Sequence, residues 1–218
     1  MKLRTRGISG TRNQAESERE RAHRVIARKA AAEGIVLLEN NGVLPLKQGS
    51  KVALYGGGAR HTIKGGTGSG SVNNRSNVSI DEGLRNAGFT VTTDAWLDAY
   101  DAAYEQSYEG WKDYIYEISE PGNFDSLYRA HASHPMQMPK GSAITKTEAA
   151  DAIYVISRVS GEGADRKAEP GDYYLSEQEE EELKAITECY DNTIVILNVG
   201  GVMDVSFLEK YNIAALVM

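Results

Sequence analysis

A carboxylate set between two glycines, Gly161-Glu162-Gly163, is followed at once by Ala164-Asp165-Arg166. Before it runs Ala152-Ile153-Tyr154-Val155, an apolar stretch that reads as a buried strand. Open α/β sheets take their ligands at the carboxyl ends of strands, so Glu162 stands where such folds do their chemistry. The flanking glycines allow backbone angles that other residues avoid and let a ligand come close. A surface turn carrying a solvated glutamate is the competing reading of the same residues.

A second stretch is laid out in the same way. Lys51-Val52-Ala53-Leu54-Tyr55 reads as a short buried strand and runs into Gly56-Gly57-Gly58. The chain Ile63-Lys64-Gly65-Gly66-Thr67-Gly68-Ser69-Gly70-Ser71-Val72 comes soon after. So many glycines suit a backbone that must lie against something closely. A nucleotide-binding module is one alternative, but its fingerprint fails. The pair Gly56-x-Gly58 lacks a third glycine at His61, and Gly65 to Ser71 lacks the Gly-Lys-Ser/Thr of a phosphate loop.

The elements that must hold these loops alternate. Ala15 to Glu33 reads as one helix, with Gly34 placed to end it. Ile35 to Leu38 is apolar, and Asn40-Asn41-Gly42 is a turn. Ser79-x-x-Glu82 is a capping box opening a helix over 80–87, which Gly88 ends. Phe89 to Thr93 reads as a strand. Residues 95–118 form an aromatic-rich helical segment, whose rings are expected in the core. Pro121 to Gly141 reads as a long loop, and Thr145-x-x-Glu148 as the cap of a short helix. A strand over 152–157 leads to the Glu162 loop, and Ser176-x-x-Glu179 caps the next helix. The glutamates 179–182 read as a solvated face that suits a helix N-terminus. Thr193 to Asn198 and Ile213 to Val217 are further strands. This alternation predicts an α/β fold: a three-layer α/β/α sandwich with a mostly parallel sheet, incomplete at the C-terminal end.

Composition narrows the function. The 218 residues carry a net charge of −7, which argues against a nucleic-acid partner. No apolar run approaches the roughly 20 residues of a membrane span. The basic start Met1 to Gly7 lacks an apolar h-region, so no secretory signal is read and the expected location is cytoplasmic. The single cysteine, Cys189, excludes an internal disulfide framework and reads as a small apolar helix residue. His131 and His134 have metal-like spacing without a supporting acid or cysteine cluster, so no metal and no cofactor are expected.

Five segments, taken in order, carry a resemblance. They are Glu33 to Asn40, Leu44-Pro45-Leu46, the Lys64 to Gly70 loop, Gly161 to Arg166, and Gly171-Asp172-Tyr173-Tyr174-Leu175-Ser176. The chain resembles the α/β-sandwich domain of glycoside hydrolase family 3, the family of many β-glucosidases, from about residue 22 to the end. Residues 95–145 match poorly and read as a helical and loop insertion. Residues 1–34 would be a polar arm and helix, and 35–218 the sandwich domain.

The resemblance implies a retaining hydrolase of terminal β-D-glycosyl residues. Such enzymes need two carboxyl groups about 5–5.5 Å apart. In the family the nucleophile is an Asp on a separate barrel domain, in a Ser-Asp-Trp or Ser-Asp-Tyr context, and this chain has neither tripeptide. The acid/base maps onto Glu162, with a pKa that burial beside the barrel would have to raise. Ser69 maps onto a sugar contact, with Lys64, Gly68 and Gly70 on the pocket rim. Asp165 and Arg166 read as an ion pair supporting the Glu162 loop. The implied partners are a small β-glycoside or oligosaccharide and the barrel of the same polypeptide. The barrel is expected downstream of Met218, and a homo-oligomer stays open. A carbohydrate-binding or structural relic without catalysis is the alternative.

Overall fold

The structure is a computed structural model that describes residues 15–66, 70, 72, 74–159 and 166–218. They divide into two compact units between Val36 and Leu37. The first unit holds α1 (Glu18–Gly34). Its cap is a reciprocal box: Glu20 N donates to Ser17 Oγ while Ser17 N donates to the Glu20 carboxylate.

The second unit runs in the order β1 (Leu37–Asn40), β2 (Lys51–Tyr55), α2 (Ile80–Asn86), β3 (Thr90–Val91), α3 (Asp94–Ile118), α4 (Phe124–Ser133), β4 (Asp151–Arg158), α5 (Glu177–Cys189), β5 (Asn192–Val199), α6 (Phe207–Lys210) and β6 (Ala215–Val217). Six strands form one sheet in the order β1-β6-β5-β4-β2-β3 among the described residues. Only β1 in that sheet pairs antiparallel, against β6. The expected α/β fold with a mostly parallel sheet is therefore observed.

The core lies on both faces of β4 and its neighbours. Tyr55 is in register with Tyr154, so both side chains leave the same face. There Tyr55 meets the Trp96 ring of α3 edge-on at 5.2 Å, and its hydroxyl lies 2.7 Å from that of Tyr190, just past α5. Tyr154 donates to Glu182 of α5 at 2.9 Å. Val155 and Ser157 face the other way. A Cβ on Gly58 would overlap Ser157 Oγ and Val155 Cγ1, so the chain after β2 lies tight on that face. Asp81 N and Ile80 N, at the start of α2, bond Ala59 O and Thr62 Oγ1 of this segment.

Several expectations need correction. The stretch Pro121 to Gly141 is not all loop. It contains α4, because its three prolines lie outside 124–133 and Asn123 caps the start through Ser126 N. No helix follows Thr145. Its carbonyl accepts from the hydroxyls of Tyr55 and Tyr190, Thr147 N donates to Tyr190 Oη, and Glu148 pairs with Lys51. The strand over 89–93 shrinks to two residues because Thr93 Oγ1 takes over the bonding of Leu54 N and Leu54 O. The glutamates 179–182 are not one solvated face. Glu179 and Glu182 turn into the protein, whereas Glu181 is 65% exposed.

Candidate active site

Both glycine-rich loops spring from neighbouring parallel strands, β2 and β4. Asn198, near the end of β5, ties their roots. Its Oδ1 accepts from Ile63 N at 2.6 Å and its Nδ2 donates to Ile63 O at 2.9 Å. Ser157 Oγ donates to the same Oδ1 at 3.2 Å. One amide side chain thus stands in for a backbone partner at Ile63, beyond the point where the β2–β4 ladder ends at Tyr55 and Tyr154. Beyond Ile63, Lys64 Nζ donates to Val72 O at 3.2 Å, and a Cβ on Gly65 would sit 2.7 Å from Gly70 O. Lys64, Gly65 and Gly70 therefore belong to one closely folded loop, and glycine at 65 permits the approach.

The end of β4 is held by charge. The guanidinium of Arg158, 7% exposed, makes a two-pronged pair with Glu179, both contacts at 2.6 Å. Its remaining donors reach Asp172 O, Tyr174 O and Ser157 O. Glu179 is also the capping-box residue of α5, accepting from Ser176 N at 2.8 Å. The returning chain is fastened by Asp172, which accepts from Arg166 Nη1 at 2.7 Å and from Lys167 N at 2.8 Å. Partial burial would raise the Asp172 carboxyl, but Lys167 N–H and the Arg166 and Arg158 guanidiniums outweigh it and hold the group below its usual value. Asp204 N donates to Tyr173 O at 2.8 Å and fixes the far side of this return.

The expected site residues divide accordingly. Lys64 and Gly70 stand together in the first loop, and Arg166 stands at the exit of the second. Arg166 bonds Asp172, which the sequence reading had not paired with it. Gly68, Ser69, Glu162 and Asp165 lie outside the described residues. Sequence reasoning missed Asn198 and Arg158. The available signal was a polar residue closing an otherwise apolar strand, as in Ile196-Leu197-Asn198 and Ile156-Ser157-Arg158. His131 and His134 set their rings edge-on to Trp111 and Tyr114, at 4.9 and 5.6 Å. Among the described residues no group of three His, Cys, Asp or Glu could hold a metal ion.

Comparison with known proteins bears on the family and the fold. The profile of the glycosyl hydrolase family 3 C-terminal domain matches residues 35–218. β-Glucosidase A of Butyrivibrio fibrisolvens is 31% identical over 211 residues, covering 86% of this chain and 24% of that protein. A β-glucosidase of Ruminococcus albus is 32% identical over 190 residues, 85% of this chain and 19% of its own length. The structure of β-glucosidase 3B from Thermotoga neapolitana with α-D-glucose superposes with a TM-score of 0.67 at 29% identity, covering 94% of this chain and 28% of that one. The chain thus spans about a fifth to just over a quarter of the length of these relatives. On the family profile, the relatives and the shared fold together, the chain belongs to glycosyl hydrolase family 3 as a C-terminal-type domain.

Proposed function

We propose that this chain is the α/β-sandwich part of a retaining β-glucosidase-type glycosidase, acting with a barrel domain of the same polypeptide. Glu162 is the general acid/base. Ser69 contacts the sugar, with Lys64, Gly68 and Gly70 forming the rim. The nucleophilic Asp belongs to the barrel. The observation that carries this reading is the joint rooting of the two loops on β2 and β4, tied through Asn198. A carboxyl on such a loop can reach into a neighbouring domain's pocket, protonate the departing oxygen and then deprotonate the incoming water.

The test is leaving-group dependence in the full-length enzyme. General acid catalysis contributes roughly 10²–10⁴-fold. Glu162→Ala should therefore slow substrates with poor leaving groups far more than activated aryl glycosides. Azide should restore turnover of activated substrates, since it needs no general base to attack the glycosyl-enzyme. A small, equal loss on all substrates with no azide effect would remove Glu162 from the role and turn attention to Asp165. The 218-residue chain alone should not turn over aryl glycosides, because it carries one carboxylate of the pair.

A further inference from the structure

A concavity is lined by residues of α3, α4 and the chain that follows α4. Between α3 and α4 is an open groove of about 580 Å³, within the ~300–1,000 Å³ typical of small-ligand clefts. Trp111, Tyr114 and His134 supply rings, and Ser107, Ser133 and Gln137 supply hydroxyl and amide groups. Pro135 completes the lining, so among the described residues no Asp, Glu, Lys or Arg contributes to it, on a chain where a quarter of residues are charged. Charged ligands find no counter-ion there. A wholly apolar ligand would strip water from two hydroxyls and an amide without replacing their hydrogen bonds. A neutral ligand with flat C–H faces and many hydroxyls suits both halves of the lining.

The groove is braced. Trp111 Nε1 donates to His134 O at 2.6 Å, pinning the chain after α4 to α3. The indole and the His131 ring pack T-shaped, as do the Tyr114 and His134 rings, so neither aromatic ring turns freely. Tyr114 nevertheless stays 44% exposed. The strand of chain that forms this wall continues to Met138, whose Cε would lie 3.2 Å from a Cβ on Gly57, just past the carboxyl end of β2. The groove wall is thus continuous with the edge from which the first glycine-rich loop leaves.

We propose that this groove binds a neutral oligosaccharide, with a sugar ring against Trp111 and Tyr114 and its hydroxyls on Ser107, Ser133 and Gln137. The ligand class follows from the lining. The choice of a β-linked glucan as first probe rests on the glycosidase reading above.

The chain has two tryptophans, and Trp96 is buried with its N–H bonded to Ser142 O, so ligand-dependent emission reports Trp111. Titrating the 218-residue chain with cellotetraose should give a saturable emission change. Trp111→Phe should abolish the signal. Tyr114→Ala and Gln137→Ala should weaken apparent binding roughly three- to tenfold, with unchanged circular dichroism. Calorimetry on Trp111→Phe should show the same weakening without relying on fluorescence. Binding of maltotetraose but not cellotetraose would uphold the saccharide groove and count against the β-glucoside reading. No saturable response to either sugar at tens of millimolar, by either method, would overturn the groove and leave the Glu162 test untouched.

Discussion

Asn198 shows how much one side chain can do at a strand end. It closes two bonds with Ile63 and receives a third from Ser157, all in a partly buried setting. Removing the amide leaves the Ile63 backbone groups without this partner, and an unsatisfied buried group costs about 1–3 kcal/mol. Asn198→Ala should lower unfolding stability by that amount in urea titrations and speed amide exchange at Ile63 and Lys64. Gly58 is constrained by space alone. A Cβ there would meet Ser157 Oγ and Val155 Cγ1, and Val155 is fully buried. Gly58→Ala should cost roughly 1–3 kcal/mol, the usual penalty of overpacking a filled core, measured as a lowered thermal midpoint.

At the scale of elements, α5 and β4 are joined by a charged pair whose arginine also bonds Asp172 O and Tyr174 O. Arg158 and Glu179 are 7% and 18% exposed, so breaking the pair strands a charge away from water. Arg158→Ala should cost about 3–5 kcal/mol. Lys140 and Glu181 make a similar contact in the open, 68% and 65% exposed, and solvent screens it. Lys140→Ala should leave the unfolding midpoint where it is. The contrast separates burial from pairing in a single denaturation series. The cap is separable too: Ser176→Ala removes the acceptor of Glu179 N and should cost about 1 kcal/mol.

The whole molecule couples its packing to pH through Glu182. Burial lifts this carboxyl above its ordinary 4.5, against the pull of Gln178, Tyr154 and Gly141 N, which favour the charged form. The folded state therefore holds the proton more tightly than the unfolded chain. The stability this contributes is complete below about pH 4.5 and is lost as pH rises through the folded value. Glu182→Gln cannot ionise and keeps an oxygen for Gly141 N. Its stability relative to the parent should therefore rise between pH 4 and pH 7 in denaturant titrations. An unchanged difference between the two pH values would show that folding leaves the Glu182 pKa where it is in the unfolded chain.

Local chemistry written in adjacent residues was legible without any structure. The boxes Ser79-Glu82 and Ser176-Glu179 open helices as their spacing requires, and each needs only atoms within one turn. The apolar runs at 52–55, 152–157 and 193–198 are strands because every side chain on them has a covered face. The ordered motifs from Glu33 to Ser176 pointed to the family. Tertiary structure alone decided what lies far apart in sequence. Thr145-x-x-Glu148 has the letters of a cap, yet Tyr55 and Tyr190 claim Thr145 O and Tyr190 claims Thr147 N. The glutamates after Ser176 look alike in sequence. Only the fold sets one of them against Arg158 and another against Tyr154, because a helix turns each neighbour through about 100° and so sends consecutive side chains to different surroundings.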